Sequence, residues 1–128
     1  MAAGGLDPIG RAMRAHPAVE DDCGLDAMRR IAQYGDEDAK RALIKMGAVG
    51  LAGTAMGNHP RNGELQDHGC DLLEQLTGLF ADVDQADLEA VSGAVKAAMA
   101  RYPNYDWVKQ YGPGVLKAAD EAAYLTWL

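Results

Sequence analysis

The sequence predicts an all-α protein, a right-handed helical solenoid of about three repeats, and three observations support this prediction. The dipeptide Ala-Met recurs every 43 residues, at Met13, Met56 and Met99, and an aromatic-Pro pair follows each copy. Apolar residues are spaced as on buried helix faces, and no segment alternates with the period of two typical of a strand. The 128-residue chain is 48% hydrophobic but only 6% aromatic, which suits closely packed short helices better than a β-sandwich.

The repeat divides the chain into units of roughly 1–35, 36–78 and 79–128. In the first unit, Asp7 and Pro8 predict the start of a short helix that ends at about Ala15. A second helix is expected to use the acidic residues 20–22 in its first turn and to end at Gly35. Its buried stripe comprises Leu25, Met28, Ile31 and Ala32.

The second unit is predicted to contain three helices, starting at Asp36, at about Ala48 and near Asn62. The carboxylates of residues 36–38 suit the positive end of a helix dipole, and Gly47 closes the first of these helices. In the third unit we expect a linker at 79–81 and a helix from the acidic stretch 82–87 to residue 101. A segment capped by Asn104 and interrupted at residues 112–114 then precedes a last helix that reaches residue 128.

The middle unit carries several short motifs in a fixed order. Gly47-Ala48-Val49 joins two helices, Ala55-Met56 lies in the second, and Gln66-Asp67-His68-Gly69-Cys70 opens the third, which continues through Leu73 and Leu76. In these motifs, residues 36–78 closely resemble an armadillo repeat. HEAT repeats share this range of periods but use two helices, so the break at Gly47 favours the three-helix unit.

The resemblance implies that the third helices line a groove that holds extended peptides. In the armadillo family, a Trp and an Asn four residues later form a ladder along this groove. Those positions fall on Asp26 and Arg30, on Asp71 and Gln75, and on Gly114 and Ala118. The ladder is absent, so recognition of nuclear import signals is not the function that we predict.

Four of these residues are the candidate partner contacts in the groove: Asp26, Arg30, Asp71 and Gln75. Asp26 and Asp71 occupy equivalent positions in adjacent layers, about 10 Å apart. Two carboxylates on one face could meet a basic segment of a partner, and a simple solvated helix face explains them equally well. Gln75 could hydrogen-bond an extended backbone.

The last residues are unusually apolar and give a second candidate surface: Tyr124, Leu125, Trp127 and Leu128. Solenoids need terminal units with a polar outer face, and an exposed apolar end is a surface that soluble monomers avoid. Either these side chains fold back as the final cap of the array, or they dock on a partner or a further repeat. We favour docking.

Composition excludes several classes of function. The net charge of −7 and the lack of basic clusters argue against nucleic acid and against an anionic membrane surface. No apolar run approaches the ~20 residues of a membrane span, and the N-terminus has no signal-peptide pattern. We therefore expect a cytoplasmic protein, or an organellar one if a transit peptide was removed. Cys23 and Cys70 are expected to be ordinary thiols.

No catalytic, metal or cofactor site can be nominated. His16 and His59 share one repeat position with Tyr102, which suggests a structural corner rather than a catalytic residue. His59, His68 and Cys70 lack a fourth zinc ligand. The sequence therefore predicts no enzyme but a non-catalytic adaptor or scaffold that binds a protein in its groove. The alternative is a structural accessory subunit of a larger assembly, docked through its apolar C-terminus.

Overall fold

The computed structural model describes residue 8, residues 10–12 and residues 23–127, with only the backbone at residues 23, 126 and 127. Residues 8 and 10–12 are helical. The remaining elements are α1 (Cys23–Tyr34), α2 (Glu37–Met46), α3 (Ala48–Asn58), α4 (Gly63–Leu76), a 3-10 helix (Thr77–Asp82), α5 (Gln85–Arg101) and α6 (Asp106–Trp127). No strand occurs in this part of the chain, so the prediction of an all-helical protein is confirmed.

The helices pack in two rows. α1 packs against α4, and α4 packs against α6, while α3 and α5 form a second row that contacts α4 and α6. Contacts between α4 and α6 follow the same order along both helices, from Asp67 beside Trp107 to Glu74 beside Gly114, so the two helices run parallel. The buried apolar residues form one cluster that extends from Leu25 in α1 to Ala122 in α6.

Local signals in the sequence fix the ends of α2 and α4. The side chain of Asp36 accepts a hydrogen bond from the backbone N–H of Ala39 at 2.9 Å, and Asn62 does the same for Leu65 at 3.1 Å. Gly47 ends α2 with a φ of 92°, a conformation that L side chains rarely adopt. Because these caps depend only on neighbouring residues, the sequence predicts them correctly.

The repeated Ala-Met dipeptide has a packing role that the structure makes explicit. A Cβ atom placed on Gly69 would lie 2.6 Å from the Sδ atom of Met56, and one placed on Gly112 would lie 2.9 Å from the Cγ atom of Met99. Each methionine thus packs against a glycine of the following helix, and the two pairs are one 43-residue period apart. The 43-residue period of the sequence therefore corresponds to a methionine–glycine contact that recurs between helices.

The aromatic-Pro corners repeat as closely. The backbone N–H of His59 donates to the carbonyl of Ala55, with φ and ψ of −128° and 59°, and that of Tyr102 donates to Ala98, with −125° and 56°. The two corners also touch, because the Tyr102 hydroxyl donates to the carbonyl of Pro60 at 2.9 Å. These positions have the corner geometry that the sequence predicts, whereas His16 lies outside the described residues.

The third unit departs from the sequence prediction at its first helix and in the middle of α6. Residues 79–81, predicted as a linker, belong to the 3-10 helix and bury Phe80, which is 1% exposed. α6 is not interrupted at Gly112-Pro113-Gly114 but runs continuously through Pro113. The residue before a proline normally avoids helical geometry because its Cβ clashes with the proline ring, and Gly112 has no Cβ. Buried Gly112 and Val115 hold this turn of α6 in place.

The start of α6 is fixed by a residue from another helix. The carboxylate of Asp67 in α4 accepts hydrogen bonds from the backbone N–H groups of Trp107 and Val108, at 2.8 and 2.9 Å. This cap takes the place of the predicted one from Asn104. A cap that comes from 40 residues away in the sequence can be seen only once the helices have packed.

Candidate protein-binding face

The row α1–α4–α6 carries a cluster of charged side chains, centred on Arg29. Its guanidinium donates to Asp26 at 2.6 and 3.0 Å and to Asp71 at 3.2 Å. Arg29 and Asp71 are each only 8% exposed, which is rare for charged residues unless they are paired. Arg30, whose side chain is 65% exposed, donates a further hydrogen bond to Asp26 at 3.0 Å.

The aromatic side of this cluster comes from α6. The guanidinium carbon of Arg29 lies 4.9 Å from the ring centroid of Trp107, within the range of a cation–π interaction. The imidazole of His68 lies against the same indole, with ring centroids 5.7 Å apart. Side chains of α1, α4 and α6 therefore meet on one face, which we call the arginine face: Asp26, Arg29, Arg30, Asp71, His68 and Trp107.

The titration behaviour of two groups reflects this pairing. Burial by itself raises the pKa of Asp26, but the hydrogen bonds donated by Arg29 and Arg30 outweigh it and hold this pKa below its usual range. Burial likewise lowers the pKa of Arg29, and the hydrogen bonds to Asp26 and Asp71 outweigh that effect and raise it. The ion pair between Asp26 and Arg29 is therefore favoured by both partners.

The four groove candidates lie on α1 and α4, and two of them are already bound within the protein. The carboxylates of Asp26 and Asp71 are both bound by Arg29, so neither is an open acceptor for a basic partner. Arg30 is the most exposed of the four. Gln75 is half-buried, and its amide makes no hydrogen bond with any residue in the described part of the chain.

On the same row, the carboxylate of Glu74 makes no ion pair with any described residue. Glu74 of α4 is half-buried, and its Oε2 atom lies 3.3 Å from the position that a Cβ on Gly114 would occupy. Gly114 is exposed, and Ala118 follows it one turn later on α6.

The C-terminal candidates are only partly described. Tyr124 and Leu125 are 65% and 63% exposed, so most of each side chain faces solvent. The side chain of Trp127 and the whole of Leu128 lie outside the described residues.

Other features are structural in character. Burial, followed by the nearby charge of Asp67, raises the pKa of the Cys70 thiol to about 12, so this group stays protonated. The amide of Gln66 donates to the carbonyls of Met56 and His59 at 3.0 and 2.9 Å and thereby satisfies the end of α3. Within the described residues, no three His, Cys, Asp or Glu side chains are placed to hold a metal ion.

Two surface clefts lie away from the arginine face. One cleft, of about 780 Å³, is lined by residues of both α3 and α5, among them the small residues Gly53, Gly93 and Ala97. A second of about 450 Å³ has Arg41 and Lys45 on one side and acidic residues on the other. No described helix is both long and apolar enough to cross a lipid bilayer.

Sequence reasoning missed Arg29 and Trp107. A signal existed for Arg29, because it follows Leu25 by one helical turn and therefore lies beside the buried stripe, where a charge needs a partner. Trp107 gave no such signal. Its role depends on α6 lying parallel to α4, which no local pattern encodes.

No protein-family model matches the chain, and the comparisons with curated proteins and with solved structures found no match.

Proposed function

We propose that this protein is a non-catalytic adaptor or scaffold that binds a partner protein along the row α1–α4–α6. The observation that carries the proposal is the arginine face, where three helices from three successive repeat units contribute to one surface. Fixed charges, an aromatic ring and the unpaired amide of Gln75 lie on that row, and such groups are typical of protein interfaces.

The repeated contacts support an armadillo-like solenoid as the scaffold. Methionine–glycine pairs and aromatic-Pro corners recur with the 43-residue period, and the third helix of each unit packs in one row. In such an array each unit buries its apolar side on its neighbours and leaves one face of each helix available for binding. The resemblance of residues 36–78 to an armadillo repeat implies the same use of this row.

The test is affinity capture with quantitative mass spectrometry, using the double variant Arg30→Ala/Gln75→Ala. Both side chains can be shortened without breaking the Arg29–Asp71 pair, unlike charge reversal at Asp26 or Asp71, which would disturb the fold. We expect a partner held by the wild-type protein to lose at least about five-fold in occupancy with this variant. Unchanged occupancy would contradict the proposal.

A second candidate function is that of an accessory subunit docked through its C-terminal end. The exposure of Tyr124 and Leu125 favours this candidate, because adjacent large apolar side chains at a surface often mark an interface. The double variant Tyr124→Ala/Leu125→Ala is the matched comparison. Loss of a fixed-stoichiometry set of companions with this variant, and not with Arg30→Ala/Gln75→Ala, would support the subunit function instead.

A further inference from the structure

The cleft between α3 and α5 has open space on both of its walls. The two helices touch at Gly53, where an added Cβ atom would lie 3.2 Å from the Cγ2 atom of Val91. Gly57 follows one turn later on the same side of α3, and an added Cβ atom there would meet nothing within 4 Å. The same is true of Gly93 in α5. We call this cleft of about 780 Å³ the α3–α5 cleft, and its walls are mainly Gly53, Gly57, Ala90, Gly93, Ala94 and Ala97.

One nearly buried polar side chain belongs to this cleft. Gln66 of α4 is 2% exposed and lines the cleft. Its amide donates to the carbonyls of Met56 and His59. Since both partners are acceptors, the nitrogen of the amide must face them and the oxygen faces elsewhere. That Oε1 atom accepts no hydrogen bond from any described residue.

The Oε1 atom of Gln66 can be reached from outside the protein. In the described part of the chain, every side-chain nitrogen or oxygen that is sealed from solvent on a non-exposed residue has a hydrogen-bond partner. Because Gln66 Oε1 has no partner, it is not sealed, and the opening that Gln66 lines is the α3–α5 cleft. A largely buried acceptor costs free energy unless a donor reaches it. The cleft is therefore the place from which a donor has to come.

The α3–α5 cleft has a positive charge at one end. Arg101, in the last turn of α5, lines it, and no Asp or Glu occurs among the described lining residues. The guanidinium is exposed and makes no ion pair with any described residue. In a protein of net charge −7, this cleft is a local exception that favours an anion. A carboxylate matches a guanidinium with two parallel hydrogen bonds.

We propose that the α3–α5 cleft binds a small, mainly apolar molecule that has both a carboxylate and an N–H or O–H donor. The carboxylate pairs with Arg101, the donor reaches Gln66 Oε1, and the apolar part lies between the alanines and glycines of the two helices. Mostly apolar clefts of this size with a few placed polar groups are typical of small-molecule sites. The site lies on the row α3–α5 and goes beyond the proposed function, which uses the other row.

The experiment titrates the full chain with indole-3-acetate, which has an apolar ring system, one N–H donor and one carboxylate. Two-dimensional nitrogen–proton NMR spectra report the binding. We expect a Kd of about 1 mM or tighter, with shifts of the Gln66 side-chain amide and of the Gly57 and Gly93 backbone amides. No binding up to about 10 mM, or shifts confined to the row α1–α4–α6, would overturn the proposal.

Two analogues of the probe separate the polar contacts. The first, 1-benzothiophene-3-acetate, has a similar shape with sulfur in place of the N–H group, and the second, indole-3-acetamide, lacks the negative charge. Each is expected to bind about five- to ten-fold more weakly than indole-3-acetate, because Gln66 Oε1 or Arg101 is then left without its partner. Equal affinity for all three molecules would overturn the assignment of these two contacts.

A matched pair of glycine substitutions tests the location. Gly93→Leu fills the cleft from a position where an added Cβ atom meets nothing, and it is expected to weaken binding of indole-3-acetate at least about ten-fold. The control is Gly78→Leu, which makes the same change at an equally open glycine that does not line the cleft. Thermal unfolding of each variant shows that it is folded. Equal effects of the two substitutions would contradict the location.

A second pair tests the charge. Arg101→Gln is expected to weaken binding about five-fold, whereas Lys96→Gln, at an exposed position of α5 that does not line the cleft, is expected to leave it unchanged. Equal losses would show a general effect of net charge and contradict the Arg101 contact. The variant Arg30→Ala/Gln75→Ala should bind the probe as the wild type does, so this site and the proposed function can fail separately.

Discussion

At the scale of single residues, Arg29 connects three helices that are distant in sequence. It holds two carboxylates and stacks on Trp107 although it is 8% exposed. A buried ion pair does not necessarily stabilise a fold relative to apolar residues, because both charges lose their hydration. However, any arrangement of the helices that leaves one of the two charges buried without its partner is strongly destabilised. We therefore regard the pair as a determinant of how α1 and α4 align.

This view predicts the effect of removing one partner. Arg29→Met leaves Asp71 buried without a cation and is expected to destabilise the protein by about 3 kcal/mol. The double variant Arg29→Met/Asp71→Leu removes both charges and should recover most of that loss. Urea unfolding monitored by circular dichroism measures both. A double variant as unstable as Arg29→Met would show that the arginine acts through packing and not through its charge.

At the scale of helices, glycines decide how closely neighbours approach. The Met56–Gly69 and Met99–Gly112 contacts let α4 and α6 pack against the methionines of the preceding helices. Gly93 lies in the middle of α5, where an added Cβ would meet nothing within 4 Å. The same residue type therefore has a packing role at two positions and none at the third.

The three glycines give a matched set of substitutions. Gly69→Ala and Gly112→Ala should each destabilise the protein by about 1–2 kcal/mol, since the methionine must shift to admit the methyl group. Gly93→Ala should stabilise it by about 0.5–1 kcal/mol through helix propensity. The denaturant concentration at the midpoint of unfolding shows whether each substitution stabilises or destabilises the protein. Stabilisation by Gly69→Ala would show that Met56 repacks freely and that the close contact is unimportant.

The helix ends show where sequence reasoning succeeds. Asp36, Gly47 and Asn62 act on groups within three residues, so their caps could be predicted from the sequence. The start of α6 could not be predicted, because its cap comes from Asp67 in another helix. The continuity of α6 through Pro113 was missed for the same reason. Local propensity favours a break there, and packing of Gly112 and Val115 overrides it.

At the scale of the whole molecule, one continuous apolar cluster joins helices α1 to α6. Buried side chains extend from Leu25 to Ala122 without a gap between the helix rows. Because one cluster spans these helices, none of them can detach without exposing apolar side chains of its neighbours. The described residues should therefore unfold together.

Whether the described residues unfold together can be tested with a substitution in one helix and a fluorescent probe in a distant helix. Leu43→Ala in the fully buried core of α2 should cost about 2–5 kcal/mol, and α2 makes no extensive contact with α6. In a Trp127→Phe background, fluorescence reports Trp107 in the third unit. We expect Leu43→Ala to lower the fluorescence midpoint as much as the midpoint from circular dichroism. An unshifted fluorescence midpoint would show that the units unfold independently.

The sequence by itself determined the helical class, the 43-residue period and most helix boundaries, because these depend on spacing, caps and composition within short stretches. It also identified the positions of Asp26, Arg30, Asp71 and Gln75, but not the state of their side chains. Only the tertiary structure decided that Arg29 binds both Asp26 and Asp71 and packs against Trp107. A charge is free or paired according to what lies across from it, and that is determined by the packing of distant helices.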